Sequence, residues 1–462
     1  MDLQVPICLL AFLLASLLVR SVTKRRRNLP PGPKPLPIIG NLKDIFQKDT
    51  HQWQHFASWK RKYGDLTYVE VFGKSMLILN SSKATTDLLE RRSAIYSDRP
   101  DMIMVNDLMG WYWDFAHQKY SDWWRLHRKT FHTGFQPSVV STYHDIQLRG
   151  MEHFLRNMLK DPEDFSGHIR HYTGSVSLAS DALKKLVEAV GSGNYLVDVI
   201  PALKYVPAWF PGAKFKRLAD EWSKDVFALR DVPFNRFKSD MEKNRAQPCF
   251  AKDILTKTEQ AGQLDTKMEE VIKNCASVAY LAGADTTVGL IFSFFLAMVL
   301  HPDAQKRAQE ELDRVIGRDR LPDFKDRPHL PYIEACLSEV LRWMPVTPLA
   351  VPHQTTQPDI YEGYHIPAGT VVIGNVWAIL HNPEVYPDPE VFKPERFLLT
   401  EGDAPPHPIN YAFGFGRRIC PGRHFATNTA WLAIAATLSV YNISPLDKEN
   451  LPKYECTEGA AS

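Results

Sequence analysis

The residues most able to do chemistry lie at 413–426, Phe-Gly-Phe-Gly-Arg-Arg-Ile-Cys-Pro-Gly-Arg-His-Phe-Ala. Gly414 and Gly416, separated by one residue, let the backbone turn tightly or approach a flat ligand. Arginines flank Cys420 on both sides, and a helical pattern starts just after it and runs through Leu432 and Ala436. A thiol at a helix N-terminus in positive surroundings is expected to have a lowered pKa. The resulting thiolate would serve as a nucleophile or as a metal ligand. A lone cysteine is more often a packed, inert thiol, but packing does not account for the glycines and arginines here.

Other spacings are weaker alone. Glu339 and Arg342 stand three apart on one helix face, the form of a solvated surface pair worth a few tenths of a kcal/mol. Trp124 and Arg128 share a helix face, so both could reach one carboxylate. His353, after Pro352, is unremarkable in isolation. Ala282-Gly283-Ala284-Asp285-Thr286-Thr287 puts a carboxylate and hydroxyls in the middle of an apolar run.

These groups need elements to carry them. Helical period or length marks 121–131, 139–159, 266–300, 304–316 and 331–343. Alternation marks a small hairpin at 67–71 and 75–79 around Gly73-Lys74, and short β patches recur near 360–366 and 370–378. The sum is mainly α with minor β. The run at 271–300 is apolar enough for a membrane span. An intramembrane Asp285 would cost about 2.5–3.5 kcal/mol, so a buried helix through a soluble domain explains it more cheaply.

The chain has 462 residues, 44% hydrophobic and 23% charged, which excludes disorder. A formal net charge of +2 gives no sign of a nucleic-acid binder. Six cysteines, at 8, 249, 275, 336, 420 and 456, form no CxxC pair and no zinc spacing, and a reducing compartment is expected. Residues 3–19 carry no charge, and Arg20 and Lys24-Arg25-Arg26-Arg27 follow them. Positive charge after the apolar stretch favours an uncleaved anchor with the rest of the chain cytosolic. The Leu29-Pro30-Pro31-Gly32-Pro33 run then reads as a stiff spacer.

The pattern FxxGxRxCxG, complete from Phe413 through Gly422, resembles the haem-binding loop of the cytochrome P-450 family. The resemblance implies that Cys420 is the axial thiolate on haem iron, with Phe413 and Gly414 also among the haem-binding residues and Arg418 on a haem propionate. Trp124 with Arg128, and His353, are similar to family positions that also meet propionates. Glu339 and Arg342 match the family's ExxR, and Arg396 in Pro394-Glu395-Arg396-Phe397 supplies the third member of a buried structural network. Ala282–Thr287 resembles the family's AGxDTT, which makes Asp285 and Thr286 the residues that hand protons to dioxygen. Thr287 is expected to pack.

The likeness spans essentially the whole chain. It implies an anchor at 1–22, a basic and proline-rich linker at 23–40, and one haem-thiolate monooxygenase domain at 41–462 without the family's C-terminal hairpin. Within the family it looks closest to endoplasmic-reticulum monooxygenases of fungal secondary metabolism, including the type that hydroxylates tryptamine. Residues 104–111 and 205–212 carry that closer likeness.

The implied substrate is a lipophilic or aromatic small molecule such as a terpenoid, indole or polyketide. Met102, Met109, Trp111, Trp113, Phe115, Tyr280, Leu281, Thr347, Leu349 and Ala350 are its candidate lining. No Rossmann or flavin fingerprint occurs, so electrons must come from NADPH through a separate flavoprotein reductase. Arg125, Lys129, Arg417 and Arg423 are candidates for its docking face. Two alternatives stay open: a haem-thiolate isomerase or dehydratase, and an inactive remnant, because the stretch between His171 and Tyr195 looks compressed.

Overall fold

The structure, a computed structural model, describes residues 28–45, 50–174, 195–399, 404–447 and 449–452, with 182, 183, 185, 186, 188, 189 and 402. The segments expected to form the anchor (1–22), most of the compressed stretch after His171, and residues 453–462 lie outside them.

The described chain is mostly helical with two small sheets. The first sheet has strand order β1-β2-β6-β3, from β1 (Leu66–Val71), β2 (Lys74–Leu79), β3 (His353–Gln354) and β6 (Val371–Gly374). β1 and β2 form the expected hairpin. β2 then pairs in parallel with β6, a long-range match that alternation cannot reveal. β4 (Asp359–Tyr361) and β5 (Tyr364–Ile366) make the second sheet. The patch at 370–378 is only half strand. Asn375 accepts a hydrogen bond from Ala378 N at 3.1 Å and caps a short helix, Val376–Leu380.

The long helices are α1 (Asp122–Phe135), α2 (His144–Lys160), α3 (Phe165–Tyr172), α4 (Lys214–Glu242), α5 (Phe250–Gln260), α6 (Thr266–Leu300), α7 (Pro302–Val315), α8 (Pro331–Trp343) and α9 (Arg423–Val440). The single helix expected at 139–159 is broken. Pro137–Val140 and a 3-10 turn at Ser141–Tyr143 precede α2, because Val139, Val140, Ser141 and Thr142 are weak helix formers. α4 and α5 are not read from period, since charges interleave in both and Pro233 interrupts α4.

α6 starts at a capped end, Asp265 accepting from Met268 N at 2.6 Å. It is the one helix among the described residues long and apolar enough to span a bilayer. Its neighbours are helices of its own chain, α1, α3, α4, α5, α7, α8 and α9. It is the core helix, as the sequence economy suggested. Two main apolar clusters flank it. One joins α2, α6, α8 and α9, and the other joins the loop at 103–115 with α1, α4, α5 and the first half of α6.

Candidate active site

The Cys420 loop enters from a short turn at Ile409–Ala412 and leaves into α9. Cys420 N–H donates to Phe413 O at 2.8 Å, closing the loop on itself. Phe415 is buried in the sheet-side core and fills the space above Gly374. Gly416 needs to be glycine twice over: its φ is +55°, and a Cβ there would lie 2.0 Å from Leu89 O.

The Cys420 thiol itself is pushed up by burial, with Gly422 N–H, Arg128 and Arg423 pulling it back. That corrects the expectation of a lowered pKa. Desolvation outweighs the positive surroundings.

A buried group of cations surrounds the loop. Arg418 donates to Ser97 O at 2.8 Å, Gln118 O at 2.8 Å and Phe115 O at 3.4 Å. Its guanidinium lies 4.1 Å from the Trp124 ring centre. Trp124 gives its indole N–H to Phe115 O at 3.0 Å and stacks on Arg418.

Sequence reasoning missed Arg99. It is buried and donates to Ala116 O, Val351 O and Pro352 O at 2.7–2.9 Å. His353 is buried beside it and meets Tyr96 O through Nδ1 at 2.7 Å. Burial and the charges of Arg99 and Arg418 hold its pKa well below the usual range. Nothing near Arg99 in the sequence marks it, since a lone arginine in a loop reads as solvated.

Among the described residues, Arg99, Arg128, Arg418 and Arg423 take part in no ion pair. Burial lowers both Arg128 and Arg418 to about 10, and each also feels a neighbouring guanidinium, Arg423 and Arg128 respectively. Buried guanidinium groups without a carboxylate call for an anionic ligand.

The middle of α6 supplies a second surface. Ala282, Gly283 and Thr286 are exposed, although Leu281, Ala284 and Thr287 beside them are buried. These three fall within one face of the helix. A Cβ built at Gly283 meets no atom within 4 Å, so this face borders open space. Thr286 Oγ1 donates back to Ala282 O at 2.6 Å. Asp285 pairs with Arg170 of α3 at 3.3 Å.

A third constellation is closed. Glu339 and Arg342 are fully buried and bidentate, with both hydrogen bonds at 2.8 Å, and Arg396 reaches the same carboxylate at 3.1 Å. The same Glu339 also accepts from Lys393 N at 2.9 Å.

A donor set of one thiol, a tight glycine loop and unpaired buried cations fits a flat, dianionic macrocycle. The Cytochrome P450 family profile matches residues 30–462. The chain belongs to the cytochrome P450 family. A cytochrome P450 monooxygenase of Armillaria gallica is 44% identical, over 90% of this chain and 85% of the relative. One from Hericium erinaceus is 41% identical, over 93% and 85%. The tryptamine 4-monooxygenase of Psilocybe cyanescens is 38% identical, over 93% and 89%. The enzyme is therefore an oxidoreductase of the oxygen-incorporating monooxygenase type, and its family implies haem, dioxygen, a small-molecule substrate and a redox partner.

The candidate P450 lining divides. Met109, Trp111, Trp113, Phe115 and Leu281 are buried in one cluster, with Met102 and Tyr280 packed against it. Thr347 is half-buried, while Leu349 and Ala350 pack against sheet-side clusters instead. On the candidate docking face Arg125 and Lys129 are exposed, Arg417 donates to Tyr120 OH at 2.9 Å, and Arg423 to Cys420 O at 3.4 Å.

Proposed function

We propose that this P450 inserts one oxygen atom into a lipophilic or aromatic small molecule of fungal secondary metabolism, and that Cys420 would hold the haem iron through its thiolate. The observation that carries this reading is a group of arginines without a carboxylate, Arg99 and Arg418 buried and Arg128 half-buried, set around a half-buried thiol. The haem, when bound, supplies dioxygen activation with the thiolate as electron donor to its iron. Arg99, Arg128, Arg418 and His353 would hold its propionates, and Trp124 keeps the Arg418 guanidinium flat by stacking. Phe413 closes the loop through its carbonyl.

Asp285 and Thr286 are the proton-handling pair. Thr286 Oγ1 already donates to Ala282 O, which leaves its lone pairs to accept from water or substrate. The Asp285 carboxylate is oriented by Arg170 and stands on the neighbouring helical position. Glu339, Arg342 and Arg396 support the fold beneath the site and take no part in the chemistry. Electrons come from NADPH through a flavoprotein reductase. An apolar anchor at 1–22 and a linker at 23–40 tether the domain at 41–462 to the endoplasmic reticulum, facing the cytosol.

The test is a carbon monoxide difference spectrum of the reduced, haem-loaded protein. Wild type should give the red-shifted Soret band of a thiolate ligand, and Cys420→Ala should lose it entirely. A thiolate band retained in Cys420→Ala would refute the assignment. Product formed without NADPH and reductase would favour an isomerase instead.

A further inference from the structure

The three arginines nearest the thiol loop that lack a carboxylate are not held alike. Arg99 and Arg418 spend their donors on backbone carbonyls, which fixes their guanidinium groups directly. Arg128 makes no side-chain hydrogen bond among the described residues. Only burial and the charges of Cys420 and Arg423 bear on it. Its place beside the thiol is therefore set by the helix that carries it, α1.

α1 is in turn fastened to α6 at one residue, His127, whose side chain is fully buried. Its Nδ1 lies 2.9 Å from Trp123 O. A carbonyl only accepts, so Nδ1 carries the proton and Nε2 offers a lone pair. Asn274 Nδ2 of α6 donates to that lone pair at 3.2 Å. The next residue of α6, Cys275, gives its thiol hydrogen to His127 O at 3.4 Å. Asn274 and Cys275 are buried as well. Burial raises the thiol pKa and lowers that of the imidazole, so both groups stay neutral and keep these roles. The Trp123 ring closes the site edge-on, 4.6 Å from the imidazole.

Two consecutive residues of α6 thus grip one residue of α1, through its side chain and through its backbone. Such a grip fixes register, because a slide or a turn of either helix would strand a donor or an acceptor away from water. His127 directly precedes Arg128 and follows Trp124 by three positions. Trp124 has further anchors of its own, in Phe115 O and in its stack on Arg418. Arg128 has none, so it is the side chain that depends on the grip.

We propose that Asn274 is a positioning residue for haem: through His127 it fixes the register of α1 and so holds Arg128 beside the Cys420 loop. This rests on the reading of Arg128 as a haem contact. Asn274 acts only through α1.

The experiment follows haem transfer from the full-length, haem-loaded protein to apomyoglobin. Losing one buried hydrogen bond predicts that Asn274→Leu releases haem about fivefold faster than wild type. The ferric–ferrous midpoint potential of the variant should fall, because a cation that drifts from the haem no longer favours the added electron. Both effects should vanish when Asn274→Leu is placed on Arg128→Leu, where no guanidinium is left to misplace. A merely structural loss would speed release by the same factor in both backgrounds. If Asn274→Leu does not accumulate, Asn274→Ser, too short to reach His127 Nε2, gives the same comparison. Equal acceleration with and without Arg128, or wild-type release and potential in the single variant, would overturn the proposal. Absence of a thiolate band in wild type would instead overturn the haem reading beneath it, and the proposal with it.

Discussion

Two buried arginine clusters of similar composition meet opposite fates. Arg342 and Arg396 share one carboxylate, Glu339, and their remaining donors go to carbonyls of Leu380, Pro387 and Val391. Arg99 and Arg418 likewise spend donors on carbonyls, but with Arg128 they have no carboxylate among the described residues. The first cluster is electrically complete within the chain. The second is complete only when an anion arrives. Arg99 and Arg418 are about as buried as Arg396, so the missing counter-charge is what separates a structural network from a ligand site.

The largest expected effect comes from opening the closed cluster. Glu339→Ala strands two buried guanidinium groups and should cost about 3–5 kcal/mol. Thermal unfolding and soluble yield would report it, and a variant as stable as wild type would show that the network is dispensable. The open cluster should behave in the opposite sense. Arg128 is lowered to about 10 by burial, so its charge strains the haem-free chain at neutral pH. Removing it in Arg128→Leu should raise haem-free stability by roughly 3 kcal/mol at most. The same change should weaken haem retention at least tenfold, read by transfer to apomyoglobin. A variant that loses stability without haem and keeps its haem would erase the contrast.

The motifs at Cys420, Glu339 and Asp285 were legible because each is local: a few fixed residue types within one turn or loop. α6 and α8 were legible to their end residues because apolar content and a cap or proline mark them. What stayed hidden is long-range. The parallel pairing of β2 with β6 joins residues some 295 apart, as in the bond between Asn80 and Asn375. Arg99 acquires meaning only when Val351 and Pro352 come to it. The thiol pKa was misjudged because neighbours can be read along the chain and burial cannot. Tyr205 and Trp209, 77% and 79% exposed, read along the chain as ordinary core aromatics, because exposure too is set by distant packing.

The smallest expected effect concerns pH, at the edge of the closed cluster. His381 is buried, stacks on Trp377 at 4.3 Å and gives its Nδ1–H to Trp377 O at 3.1 Å. Arg342 stands close enough to disfavour a positive charge on the ring, against the opposing pull of the Trp377 and Trp343 backbone. Burial and that charge lower its pKa to about 3, against the usual 6.5. The unfolded chain therefore binds a proton below about pH 6.5 that the folded chain refuses. Stability from this group is nearly fully present at pH 7 and falls with decreasing pH, by about 2 kcal/mol between pH 7 and pH 5. His353, lowered by burial and by Arg99 and Arg418, adds a loss in the same direction. Denaturant unfolding of wild type and His381→Asn at the two pH values separates them. The variant should be less stable at pH 7 but should lose about 2 kcal/mol less on acidification. Identical pH slopes would mean that His381 is protonated in the folded protein, and that the closed cluster tolerates a charge which its geometry says it excludes.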